Sequence, residues 1–114
     1  MRRIGDIQLT QGERQAIEKA CQIIRERFPV ERIVLFGSKA RGDADPESDL
    51  DLLVLTKRPL SWRERDEITD ALFEVEMEND VVISTLVASL ADWQEGAFSV
   101  LPIHEEISRE GVVA

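Results

Sequence analysis

The sequence predicts an α/β fold, a small mixed sheet with helices packed on it, in one domain spanning residues 1–114. Three observations predict it. Apolar residues recur at helical spacing in two long segments. Three short strand-like runs alternate with them. The chain is 114 residues long and 43% apolar, with no repetitive or low-complexity stretch, which is enough for one modest core.

The elements follow in order. Thr10-Gln11-Gly12-Glu13 has the spacing of a capping box. Ile17, Ala20, Cys21, Ile24 and Phe28 then recur on one helical face, predicting a helix over Gln11–Arg27 that Pro29 stops. Val30 to Phe36 is β-branched and aromatic and reads as a strand that Gly37 ends. Gly42 to Ser48 has loop composition. Asp49 to Leu55 is a second strand, apolar on both sides at its end and therefore central in the sheet. Ser61 can cap a second helix running to Glu78, with Ile68, Ala71, Leu72 and Val75 as its core stripe. Val81 to Val87 is a third strand. Pro102 can open a last helix that ends at Glu110, with Gly111 beyond it.

Charge is unevenly placed within a net of −9. Residues 1–58 carry 11 basic and 10 acidic side chains, whereas residues 59–114 carry 3 basic and 13 acidic. The acidic half would repel a polynucleotide and argues against nucleic acid as substrate. It is either a solvated face or a docking surface for a basic partner. No apolar run is long enough to cross a membrane. Gly5, Asp6 and Gln8 follow Met1-Arg2-Arg3 at once and leave no apolar signal segment. The single Cys21 excludes an internal disulfide and falls on a helix's apolar face as a core residue. A cytoplasmic protein fits these features.

The chemistry lies in Gly37-Ser38-Lys39-Ala40-Arg41-Gly42 and Ser48-Asp49-Leu50-Asp51-Leu52. Gly37 lets the backbone turn and approach a ligand. A helical turn over Ser38 to Arg41 would aim free N–H groups at phosphate, and Lys39 and Arg41 add positive charge. Alone, a Gly-Ser turn is a weak signal; the aspartates sharpen it. Two residues apart on a strand, Asp49 and Asp51 project from one face, roughly 6–7 Å apart at the backbone. Two carboxylates so close repel each other, a conflict that a divalent cation removes. Hard oxygen donors suit Mg²⁺.

Rival motifs fail on specific residues. A P-loop needs Lys-Ser/Thr after its second glycine, but Asp43-Ala44 follows Gly42. Asp43, Asp45 and Glu47 mimic an EF-hand loop, but Ser48 and Val54 stand where Gly and Glu are required. Arg41-Gly42-Asp43 spells an adhesion tripeptide, for which a cytoplasmic chain has no use. His104, the only histidine, falls on a predicted surface helix and is not expected to be catalytic.

Gly37-Ser38-x-Ala40-Arg41-Gly42 followed by Ser48-Asp49-x-Asp51-Leu52 resembles the signature of the DNA polymerase beta superfamily of nucleotidyltransferases, and within it the minimal nucleotidyltransferases. The resemblance implies the nucleotidyltransferase fold. It gives Gly37 and Ser38 the triphosphate, ATP or another nucleoside triphosphate, and gives Asp49 and Asp51 the Mg²⁺ ions. It implies transfer of a nucleoside monophosphate, with AMP from ATP as the expected case, to an acceptor hydroxyl. It also implies a helical HEPN-type partner, with this chain as the antitoxin of a toxin–antitoxin pair that modifies that partner.

One position departs from the family pattern. Active members carry a third carboxylate on the third strand, and Val82 falls where that acid would stand. Asp80 lies two residues earlier on the same face. It is either a third metal ligand and the base for the attacking hydroxyl, or an ordinary strand-opening residue. The departure keeps a second class of function open: a catalytically lapsed module that docks on its partner, with Trp62, Trp93, Phe98, Phe73 and Met77 as candidate contacts. Transfer to a small molecule would need a second region to hold the acceptor.

Overall fold

The computed structural model describes residues 1–43 and 48–114. Its elements are β1 (Arg2–Arg3), α1 (Gln11–Arg27), β2 (Val30–Phe36), α2 (Ser38–Arg41), β3 (Leu50–Thr56), α3 (Trp62–Asn79), β4 (Ile83–Ser89), α4 (Leu90–Gln94), α5 (Pro102–Glu110) and β5 (Val112–Val113), with 3-10 turns at Ile4–Asp6 and Ala97–Val100.

Local chemistry sets the helix ends. The Thr10 hydroxyl accepts from the Glu13 N–H at 3.1 Å while the Glu13 carboxylate accepts from the Thr10 N–H at 2.8 Å, so the expected capping box opens α1. Ser61 and Glu64 make the same reciprocal pair at the start of α3. Arg58 beside Glu64, with the Ser61 N–H, holds that carboxyl down to about 2.

The sheet runs in the order β1-β5-β2-β3-β4. β2 pairs antiparallel with β3, and β3 pairs parallel with β4. β3 thus has neighbours on both sides, as its apolar run predicts. Its side chains serve two cores, one on each face of the sheet. Leu50, Leu52 and Val54 join Ile17, Ile24, Ile68 and Leu72 under α1 and α3. Leu53 and Leu55 join Val34, Trp93 and Ile107 under α4 and α5. Truncating a side chain such as Leu52, which is fully buried, to Ala costs about 2–5 kcal/mol.

Four features differ from the sequence-based expectation. β4 starts at Ile83 rather than Val81, because Asp80 ends α3 in a left-handed conformation (φ 51°, ψ 50°) and the chain needs Val81 and Val82 to turn back. β3 is shifted by one residue and begins where the Leu50 N–H donates to the Val82 carbonyl at 2.8 Å. β1, β5, α4 and the 3-10 turns are too short to leave a periodic signal. His104 is half-buried rather than on the surface, its ring 4.6 Å from that of Trp93. Cys21 is buried as expected, and burial pushes its thiol up to about 11. Within the expected loop, residues 44–47 lie outside the described residues, and with them Asp45 and Glu47 of the EF-hand comparison. Among the described residues no helix is long and apolar enough to cross a membrane.

Candidate active site

Antiparallel pairing brings the end of β2 beside the start of β3. Phe36 is the register partner of Asp51, and Asp51 in turn is that of Ser84 on β4. Residues so paired share a face, so Phe36, Asp51 and Ser84 form a row across three strands. It lies on the α4 and α5 side, where Val34 and Leu53 also point. Gly37 follows directly, with φ 77° and ψ −160°, a region that is essentially restricted to glycine. A β-carbon there would lie 3.4 Å from Asp51 Cγ and closer still to Oδ2. The turn and the carboxylate are therefore in direct contact. Ser38 then opens α2, whose single turn closes with the Arg41 N–H on the Gly37 carbonyl at 3.1 Å and the Gly42 N–H on the Ser38 carbonyl at 2.9 Å.

The carboxylate pair has the expected electrostatic conflict. Burial, then the neighbouring charge of Asp49, push the Asp51 carboxyl above its usual range, and Arg41 opposes them. Asp49 accepts a hydrogen bond from the Ser84 hydroxyl at 3.1 Å. Both aspartates are half-buried and open to a ligand.

The two cations flanking the Gly-Ser turn have other partners. Lys39 is buried and ion-paired with Glu13 at 2.5 Å, which ties α2 to the first turn of α1. Burial alone would raise the Glu13 carboxyl, but hydrogen bonds from Lys39 and Thr10 leave it below its usual range. Arg41 bonds Asp43 at 3.3 Å and, through α5, Glu106 at 3.4 Å and Glu110 at 3.2 Å. Its charge still reaches Asp51.

Asp80 does not stand on the strand. It is the left-handed C-cap of α3, so the alternation that would place it above Asp49 and Asp51 does not apply. It lines a recess with Thr10, Glu13 and Ser48. Among the described residues no three His, Cys, Asp or Glu side chains come together to hold a metal, so Asp80 completes no trio with the pair. β4 offers Ser84 on the site's face instead.

Two residues escaped the sequence reading. Ser84 was legible in principle, as a hydroxyl on the predicted third strand. Arg2, whose guanidinium donates to the Ala40 carbonyl at 2.8 Å and closes the end of α2, left no local signal. Of the candidate contacts, Trp93 is buried and Phe98 half-buried, with ring centroids 5.9 Å apart, whereas Trp62, Phe73 and Met77 are exposed.

The chain is similar to known proteins. The family model described as a nucleotidyltransferase domain matches residues 17–93. A protein adenylyltransferase by assigned name from Methanocaldococcus jannaschii is 38% identical over 58 residues, 51% of this chain and 59% of that protein, so the chain spans less than two thirds of its length. MntA of Haemophilus influenzae, also named as a protein adenylyltransferase, is 30% identical over 84 residues, covering 74% of this chain and 72% of that one. A crystal structure of a toxin–antitoxin with AMP-PNP superposes with a TM-score of 0.61 over 84% of this chain and 69% of that chain, at 18% identity, which is a likeness of fold.

Proposed function

We propose that this chain, which belongs to the nucleotidyltransferase domain family, transfers AMP from ATP to a hydroxyl on a partner protein and acts as the antitoxin of a toxin–antitoxin pair whose toxin is a helical HEPN-type protein. One observation carries the reading. Gly37 lies against the Asp51 carboxylate, so the glycine turn and that acid form one surface. The relatives named as protein adenylyltransferases support AMP and a protein acceptor, and the fold likeness to a toxin–antitoxin structure supports the pairing.

In the reaction the acceptor hydroxyl oxygen bonds to the α-phosphorus and releases its proton to water, the bond from the α-phosphorus to the bridging β-phosphate oxygen breaks, and pyrophosphate leaves. Gly37 and Ser38 hold the triphosphate at the start of α2. Asp49 and Asp51 fit Mg²⁺ in donor chemistry, since both are hard carboxylates, and burial and then the Asp49 charge push the Asp51 carboxyl above its usual range. When bound, Mg²⁺ supplies charge neutralisation of the phosphates. Ser84 keeps Asp49 oriented. Arg41, tethered to α5, adds a positive field near Asp51. Lys39 instead fixes α2 against α1 and leaves the phosphates to the backbone.

Intact-mass analysis of the co-expressed partner tests the proposal. The partner gains AMP with the wild-type chain, and Asp49→Ala or Asp51→Ala removes the gain. Transfer retained in both variants overturns the mechanism. The absence of a third carboxylate beside the pair among the described residues favours a second reading, in which the chain neutralises its partner by docking alone. Tight partner binding with no heat of ATP binding in calorimetry would decide for it.

A further inference from the structure

Large apolar side chains are exposed along one stripe of α3. Trp62 is 72% exposed, Phe73 61% and Met77 70%, and at helical spacing the three share a face. From Trp62 to Met77 the stripe runs about 22 Å. Beyond the turn that ends α3, Val82 is 55% exposed. Glu76, one step round the helix from Phe73, accepts from the Ile83 N–H at 3.0 Å and so joins the stripe to the start of β4. β4 is the edge of the sheet, and Ile83 to Ser89 contains no charged residue and no proline to guard it. An unguarded edge beside an exposed apolar stripe is a surface built to be covered.

Charge identifies the cover. α3 carries seven acidic and two basic side chains, and Asp66 and Asp70 lie on the stripe's own face and are exposed. A second copy would set these acids against themselves across a two-fold axis. We infer that the α3 stripe and Val82 dock a basic amphipathic helix of a partner protein, its apolar residues on Trp62, Phe73 and Met77 and its cations against Asp66 and Asp70. This deepens the reading above and rests on the acceptor being a protein.

The test uses fluorescence anisotropy without nucleotide, so its outcome is separate from that of the transfer assay. The probe is a labelled synthetic helix of about 16 residues, matched to the stripe's length, with leucines along one side and lysines along the other. The control carries glutamates in place of the lysines. The lysine helix binds the wild-type chain, and the glutamate helix binds about tenfold more weakly or worse. Phe73→Ser with Met77→Ser keeps every charge and weakens the lysine helix about tenfold or more. Asp66→Asn with Asp70→Asn keeps the stripe and also weakens it. All four positions are exposed, and unchanged melting temperatures confirm folding. Equal binding by the Phe73/Met77 variant, or no binding of the lysine helix to the wild type, overturns the inference. So does a self-dimer in sedimentation equilibrium that the Phe73/Met77 variant dissolves, which would make a second copy the occupant.

Discussion

Gly37 leaves the Asp51 carboxylate no room for a side chain: a β-carbon at position 37 would stand within 3.6 Å of three atoms of that carboxylate side chain. Gly37→Ala therefore meets two penalties, a backbone region costing about 1–3 kcal/mol and displacement of Asp51. AMP transfer should fall about 10²-fold, the scale of a small misplacement at a reacting centre, and the melting temperature should drop as well. Gly42→Ala is the control. Gly42 is also left-handed, at φ 82°, but a β-carbon there meets nothing within 4 Å. It should lose stability while keeping most of the transfer rate, measured with labelled ATP.

Ser84→Ala removes the hydrogen bond to Asp49. Ser84 is exposed, so stability should change by about 0.5 kcal/mol or less. Transfer should weaken and need more Mg²⁺ to saturate, and Ser84→Thr should restore it. A rate unchanged at every Mg²⁺ concentration would remove Ser84 from the site.

Asp51→Asn should stabilise the metal-free chain at neutral pH while abolishing transfer, a trade of stability for function. The folded state raises the Asp51 carboxyl above its ordinary 3.8. Folding is therefore penalised progressively as pH rises above that value, and the penalty is absent below it. Melting curves of the two proteins should diverge at neutral pH and converge toward pH 3.

Lys39→Met strands the Glu13 carboxylate in a buried position and should cost about 3–5 kcal/mol. Adding Glu13→Gln should recover much of that loss, because Gln keeps the capping box with Thr10. The Glu13 carboxyl lies below its ordinary 4.5, so its contribution is present above that pH and lost as the pH falls beneath it. Urea melts of the single and double variants at neutral pH and at pH 3 measure both effects.

The helix ends and strand identities were legible because their causes are local. Thr10 and Ser61 announce capping boxes, Pro29 stops a helix, and β-branched runs prefer extended backbone. Asp49 and Asp51 were read as neighbours by alternation along a strand; Asp49 lies just before β3, and the hydroxyl it accepts from, Ser84, is the register partner of Asp51. The same rule failed at Asp80, because a left-handed residue ends α3 there and extension begins only at Ile83.

Sequence alone settled the acid pair, the glycine turn and the α/β class, since each follows from backbone preferences within a few residues. Only folding in three dimensions decided which groups meet. The β2–β3 register set Gly37 on Asp51, and the β3–β4 register gave Asp49 the Ser84 hydroxyl in place of a third acid. Packing of α2 against α1 turned Lys39 inward onto Glu13, and α5 drew Arg41 to Glu106 and Glu110. Such partners lie tens of residues apart, where no periodicity can pair them and only the burial of a shared core does.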